Sequence, residues 1–443
     1  MEQDKRGMAC DILIDNAQII TNNGKSAVYG CVGILKDSIV YAGEKHPEIT
    51  GKKTIDAEGC IVMPGLINAH THSPMSIFRG YADDMELFSW LNAHIWPVEK
   101  EFVTEENVAL ASELSIAEMI RSGTTAFNDM YFYSDVTAAV AKKAGIRAVL
   151  GEAVIDLPFP VYKISENFWK EKAETPDEKG PVTSVLVAHS PYSCSRDILK
   201  KICAVSKKTG RLIHIHISET DTEVEAIMKE HGMTPVQYLD SIGFFDHRVV
   251  AVHCVALSDN DIDILAKRKT GVVHCPQSNL KLGSGTARVP DMIKAGIFVA
   301  LGTDGQASNN TLDMFAEMKT AALLHKGIQK DPSVLPAREV INMATSKAAS
   351  ILGLENTGII APGKKADIII VDMQGIHMSP VYDPCSHIVY CAKGTDVKTV
   401  IIDGKIVMEN RKLLTIDEES VKNKVNRLAS DIAAFRNSNG RIK

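Results

Sequence analysis

The hydrophobic pattern of this chain changes period twice. Over residues 9–62 the runs ACDILIDNAQIIT, AVYGCVGILKDSIVYAG and KKTIDAEGCIVMPG alternate apolar with polar positions and break at Gly or Asn-Asn. Alternation rich in β-branched residues predicts short strands joined as hairpins. Residues 357–416 read the same way, in TGIIAPGKKADIIIVDMQG and VKTVIIDGKIVMENRKLL. The two ends are expected to pair into one small β-sandwich, residues 1–64 with 356–443, bounded at Pro64-Gly65 and Pro362-Gly363. Helical spacing over Asp417–Phe435 closes the chain.

The middle, residues 65–355, switches between strand-like and helix-like runs. LINAHTH, GTTAFNDM, IRAVLGEAVI, TSVLVAHSP, RLIHIHISE, VVAVHCV, GVVHCP and FVALGTD are the strand-like ones. Helical spacing falls between them, at Asn107–Ser122, Asp135–Ala144, Ser195–Lys208, Thr222–Lys229, Asp259–Lys267 and Val289–Ala295. Repeated βα units with apolar strands predict a parallel sheet, and eight of them predict a (β/α)8 TIM-type barrel. In that fold catalytic groups gather at the C-terminal ends of the strands. His70, His72, His189, His216, His253, His274 and Asp304 all fall there.

Composition narrows the function classes. The 443 residues are 45% hydrophobic and 23% charged, long enough for two domains and too apolar for disorder. A net charge of −6 without a basic block gives nucleic acid no electrostatic footprint. No apolar run approaches the ~18–20 residues of a membrane span. The opening MEQDKRGMACDILID lacks the apolar core of a signal peptide. Nine scattered cysteines without a Cys-x-x-Cys read as reduced thiols of a cytoplasmic protein. Cys254 and Cys275 each follow a histidine, and packing is the expected role of both.

The chemistry centres on MPGLINAHTH, Met63–His72. Residues i and i+2 of a strand point to one side, so His70 and His72 can offer two nitrogens to one ion, with Zn2+ the first choice. His214 and His216 repeat the spacing in RLIHIHISE; the deeper His214 reads as barrel interior and His216 as the ligand. Glu219, three residues on, can take a proton from bound water and return it to a leaving group. Asp304 ends FVALGTD, where a carboxylate can both ligate and accept the water's hydrogen bond. His253 is either a ligand or the group that holds the attacking water, and His274 is a weaker candidate. Three histidines plus an aspartate leave one position for water, whose pKa the ion lowers towards ~7. Two-metal barrel hydrolases bridge their ions with a lysine. TSVLVAHSPYS has His189 and no lysine, which favours one ion.

GLINAHTH, HIHISET, VAVHCV, HCPQSNLKLGSG and LGTDGQASNN together resemble the amidohydrolase superfamily. HSPMSIFRGYADDMELFSWL, HIWPVEK and HSPYSCS narrow the resemblance to the 5'-methylthioadenosine/S-adenosylhomocysteine deaminases, over nearly the whole chain. The resemblance implies that His70, His72, His216 and Asp304 bind one divalent ion: Zn2+, with Fe2+ and Mn2+ as alternatives. It implies that Glu219 shuttles protons and His253 orients the hydroxide, with Glu219 and Asp304 also touching the substrate. Glu99 matches the carboxylate for the ribose hydroxyls, His189 a further ribose-side contact and Trp90 an aromatic wall. The implied partner is a small nucleoside, with neither nucleic acid nor membrane; a homo-oligomer is left open. The implied reaction is hydrolytic deamination of adenosine, 5'-methylthioadenosine, 5'-deoxyadenosine or S-adenosylhomocysteine.

One position departs from the pattern. Some members place an arginine for the amino-acid carboxylate where this chain has Glu152. An acid there is expected to repel that carboxylate, and the apolar LPFPVYK that follows suits a methylthio group. The alternatives are a free-base (guanine-type) deaminase or triazine-type hydrolase on the same scaffold, against which Glu99 discriminates, and a metal-free scaffold protein.

Overall fold

The computed structural model describes residues 8–21, 27–156, 168–171 and 180–439. The chain divides into two compact units. The first comprises Met1–Ile67, Met119–Ala126 and Asp313–Thr415. Its sheet takes β1 (Met8–Ile19), β2 (Val28–Leu35), β3 (Ser38–Gly43), β4 (Ile49–Asp56) and β5 (Cys60–Pro64) from one end of the chain. From the other end come the four strands Ile368–Asp372, Val397–Ile402, Lys405–Glu409 and Lys412–Leu413. The ends meet where Ile368–Asp372 pairs antiparallel with β5, Ile370 opposite Val62. Strand β1 shows how its pattern is satisfied. Ile12 and Ile14 face the core, the register shifts at Asn16 (φ +56°), and the odd positions Ala17 and Ile19 then face the same core.

The second unit comprises Asn68–Glu118, Phe127–Leu312 and Ile416–Lys443 and is built on the parallel strands. One sheet runs β6 (Leu66–Thr71), β7 (Thr124–Tyr131), β8 (Arg147–Glu152), β9 (Val182–Ser184). The other runs β10 (Leu186–Val187), β11 (Ile213–Ile217), β12 (Val249–His253), β13 (Gly271–His274), β14 (Val299–Leu301), each pair parallel. β9 and β10 are two halves of one broken strand position. The Val185 amide donates to Leu150 O (3.0 Å) and joins the sheets. On the far side the Asp304 amide donates to His70 O (3.0 Å) and closes the ring. That closure needs Gly302, because a Cβ there would lie 2.8 Å from the His70 nitrogen. This is a TIM-barrel-type fold.

The connecting helices start and stop on local chemistry. Ser195, Thr220, Thr234 and Ser258 each cap a first turn through the side-chain oxygen, and Gly145, Gly210 and Gly232 end helices with positive φ. Leu87–Trp90, Leu91–Ile95 and Trp96–Phe102 form one helical segment whose middle turn widens to π geometry. Pro97 has no amide to give the preceding turn, which accounts for the local rewinding. Seven of the nine cysteines are buried and none forms a disulfide. Among the described residues no helix is long and apolar enough to cross a membrane.

Candidate active site

The site is assembled at the C-terminal ends of β6, β11, β12 and β14. His70 is fully buried, and its Nε2 lies 3.3 Å from Asp304 Oδ1 and 3.3 Å from His216 Nε2. His72 Nε2 lies 3.1 Å from the same Asp304 oxygen. The other ring nitrogens are tied back. His72 Nδ1 donates to Met130 O (2.6 Å) and His216 Nδ1 to His189 O (2.7 Å). A carbonyl only accepts, so both Nδ1 atoms carry a proton and the Nε2 atoms are the ones that face inward. His70 Nδ1 shares a hydrogen bond with His214 Nε2 (3.0 Å) beneath the site.

Among the described residues two overlapping groups could hold an ion, His70–His72–Asp304 and His70–His216–His253, each with ligand atoms within 4.8 Å of one another. The donor set fits a divalent ion. Inward-facing nitrogens at 3.3 Å repel unless a proton or a cation lies between them, and imidazole nitrogen with carboxylate oxygen suits Zn2+. Neither Cys254 nor Cys275 belongs to either group.

Burial sets the protonation states. It pushes His70 down to about 4, and His189 and His253 to about 3, with His216 and His214 also well below the usual range. These rings are neutral near pH 7, the form that ligates. Burial acts the same way on His72, but the Asp304 carboxylate outweighs it and lifts the ring to about 8. Burial alone would raise Asp304; the hydrogen bonds from His70 and His72 carry it well below the carboxylate range instead. Its Oδ2 accepts from Ser278 (2.6 Å) and Ser308 (2.9 Å).

Glu219 is buried beside this cluster with Oε2 3.6 Å from His253 Nε2. Burial, then the charges of Asp304 and Glu223, raise its pKa well above the usual value, which favours its protonated form. Four residues here have left-handed backbones: Ser218 (φ +51°), His253 (+70°), Cys254 (+49°) and Asp304 (+64°). For non-glycine residues this is strained geometry, and it turns side chains inward where the strands end.

A cleft with about 630 Å³ of empty space opens over the cluster. His72, His216, Glu219, His253 and Asp304 form its floor; Trp90, Glu99 and His189 line its walls. Trp90 is fixed by its indole N–H on Ala82 O (3.0 Å), and His189 Nδ1 shares a hydrogen bond with Ser193 Oγ (2.8 Å). Tyr131 donates to Glu99 Oε1 (2.6 Å), and burial still lifts Glu99 to about 7. His274 is buried outside the lining.

Glu152 is a correction. It does not line the cleft; Ala153 does. Both of its carboxylate oxygens accept backbone amides at the start of helix Ser134–Ala144, from Tyr133 (2.9 Å) and Ser134 (2.8 Å). Alternation along β8 and beyond sends Glu152 to the helix side, so the expected repulsion of a substrate carboxylate has no basis. The LPFPVYK segment lies outside the described residues.

Sequence reasoning missed several residues. Tyr131 and Tyr192 line the cleft, Ser278 and Ser308 hold Asp304, and Asn279 Nδ2 lies 3.0 Å from His253 Nδ1. Ser278 and Asn279 stand in the HCPQSN run and Tyr192 in HSPYSCS, so their neighbourhood was visible while their contacts were not.

A profile of the Amidohydrolase family matches residues 61–407. The chain is 45% identical over 435 residues to a protein of Methanosarcina mazei named 5'-deoxyadenosine deaminase, covering 97% of this chain and 100% of that one. It is 43% identical over 417 residues to the 5-methylthioadenosine/S-adenosylhomocysteine deaminase of Pelotomaculum thermopropionicum, covering 93% and 96%. The crystal structure of an adenosine deaminase from Xanthomonas campestris with bound zinc matches with a TM-score of 0.92 at 33% identity, covering 96% and 99%.

Proposed function

The chain belongs to the amidohydrolase family and is a metal-dependent aminohydrolase, and we propose from that premise that it deaminates adenine nucleosides to the inosine analogues and ammonia. The observation that carries this reading is the convergence of one ligand cluster and two buried carboxyls, Glu219 and Glu99, on a single cleft. His70, His72, His216 and Asp304 would hold one divalent ion, Zn2+ by donor type, with Fe2+ and Mn2+ as alternatives. When bound, that ion supplies Lewis acidity towards water.

The remaining steps are the work of the chain's own side chains. Glu219, whose burial favours the protonated form, gives its proton to ring nitrogen N1 as water adds at C6. The first proton of that water passes through Glu219 to the exocyclic amine, the C6–N bond breaks and ammonia leaves, and the water's second proton, left on O6, returns to Glu219 as the C6 carbonyl forms. His253 and Asp304 orient the attacking water, with His253 neutral and next to Glu219. Glu99 accepts the ribose hydroxyls, His189 contacts the ribose side and Trp90 walls the base.

No lysine or arginine lines the cleft among the described residues, so a small neutral 5' group suits it better than the zwitterionic tail of S-adenosylhomocysteine. We read the sheet of the first unit as the small β-sandwich domain and residues 65–355 as the catalytic barrel, supported by the pairing of β5 with Ile368–Asp372. The test is ammonia release from a panel of adenosine, 5'-deoxyadenosine, 5'-methylthioadenosine, S-adenosylhomocysteine, adenine and guanine. The nucleosides with small neutral 5' groups should turn over at least as efficiently as S-adenosylhomocysteine. Preferred turnover of a free base would overturn the reading.

A further inference from the structure

Glu223 is buried to 1% exposure in the first turn of helix Asp221–His231, and its carboxylate points back along the chain. Oε1 accepts the Ser218 amide (2.9 Å) and Oε2 accepts the Glu219 amide (2.8 Å). The opposite side of the same elbow is held as well. Ser218 O accepts the amides of Val255 (3.0 Å) and Ala256 (2.9 Å), just beyond β12. Ser218 itself has φ +51°, a conformation that serine does not hold without such support. The peptide that carries Glu219 is therefore clamped on both edges, while among the described residues no hydrogen bond fixes the Glu219 carboxyl closer than the 3.6 Å approach of His253 Nε2. The direction of that carboxyl is set from its backbone.

We propose that Glu223 is a positioning residue for proton transfer: by accepting both amides of the Ser218–Glu219 elbow, it fixes the direction from which Glu219 serves the bound ring. Glu223 does not line the cleft and acts only through Glu219. A carboxylate is the side chain that can do this, since it presents two acceptors and no donor. Glutamine would keep one acceptor and turn an N–H₂ against the other amide.

The kinetic part of the test rests on the deaminase reading; the exchange part does not. In zinc-loaded Glu223→Gln the Ser218 and Glu219 amides should exchange hydrogen faster than in the wild type, with the rest of β11 unchanged. Turnover of adenosine should fall about 10²-fold with KM altered less than ~3-fold, as for a misplaced catalytic group. Metal content should stay that of the wild type. The double variant Glu219→Gln/Glu223→Gln should be no slower than Glu219→Gln alone, because the second change has nothing left to misplace. Glu223→Asp, one methylene short of spanning both amides, carries the same readouts if the glutamine variant does not fold. Unchanged exchange at the two amides, unchanged turnover, or losses that multiply in the double variant would overturn the proposal. A wild type silent on adenosine would instead count against the deaminase reading, and the exchange measurement would still decide the role of Glu223.

Discussion

Tyr131 donates its phenolic proton to Glu99 Oε1 across 2.6 Å inside the cleft. One acceptor direction of Glu99 is thus spent on the protein, and the rest of the carboxylate is left for a ligand. Neighbouring hydroxyls of a ribose are the natural donors. Glu99→Ala should lower kcat/KM for adenosine by ~10²-fold, the cost of leaving buried polar groups unpaired. Removing the hydroxyls from the substrate should cost the wild type as much and the variant little. If Glu99→Ala discriminates between adenosine and 2',3'-dideoxyadenosine as the wild type does, Glu99 does not bind the diol.

Glu99 also predicts a pH dependence of stability. Burial raises its pKa from 4.5 in the unfolded reference to about 7 in the fold, with the Tyr131 bond and His72 opposing. The fold then binds a proton more tightly than the unfolded chain, so the group destabilises progressively as pH rises from 4.5 to 7. Glu99→Gln removes that penalty. Its advantage over the wild type in urea unfolding should be absent near pH 4.5, grow with pH and level off above pH 7, reaching about 3 kcal/mol at most. An advantage independent of pH would refute the assignment.

Glu219→Gln keeps shape and loses the exchangeable proton. Turnover should drop ~10²–10⁴-fold, the range for general acid–base catalysis, with metal content unchanged. Near-normal turnover would remove Glu219 from the mechanism.

The ligand cluster of three imidazoles and one carboxylate predicts about one divalent ion per chain. Chelation should abolish turnover and lower the unfolding temperature, and Asp304→Ala should lose the ion. Two tightly bound catalytic ions per chain by elemental analysis would contradict a site with His253 outside it.

Glu152 should matter to the fold and not to the substrate. Glu152→Gln exchanges one acceptor for a donor at the start of helix Ser134–Ala144, which should cost about 1–3 kcal/mol. The ratio of activities on 5'-methylthioadenosine and S-adenosylhomocysteine should stay put. A shifted ratio would return Glu152 to substrate selection.

The chain displayed its periodic features and hid its contacts. The helix read at Ser195–Lys208 spans Arg196–Thr209, because Ser195 caps it and Gly210 stops it, and both signals are local. His70 and His72 were legible because spacing on a strand sets direction. Glu152 misled for the same reason: alternation in β8 says that neighbours face opposite ways, but not which way is inward once the strand leaves the ladder. Tyr131 was invisible because TTAFNDMY is buried at every position, so nothing in its pattern singles out the residue that meets Glu99. Glu223 looked like any first-turn helix carboxylate; only the fold shows its two oxygens on the elbow.

The hydrogen bond from the Asp304 amide to His70 O joins the last barrel strand to the first. It therefore sets the order in which the ion's surroundings come into being. A chain made from its N-terminus presents His70, His72 and His216 well before Asp304 has been synthesised. On the proposed ligand set, an ion that arrived early would meet three imidazoles and no carboxylate. The loop that brings the carboxylate back spans almost the whole barrel, and its closure entropy is lost before any contact rewards it. Firm retention of an ion on that set would thus come late in biogenesis and would report that the ring has closed.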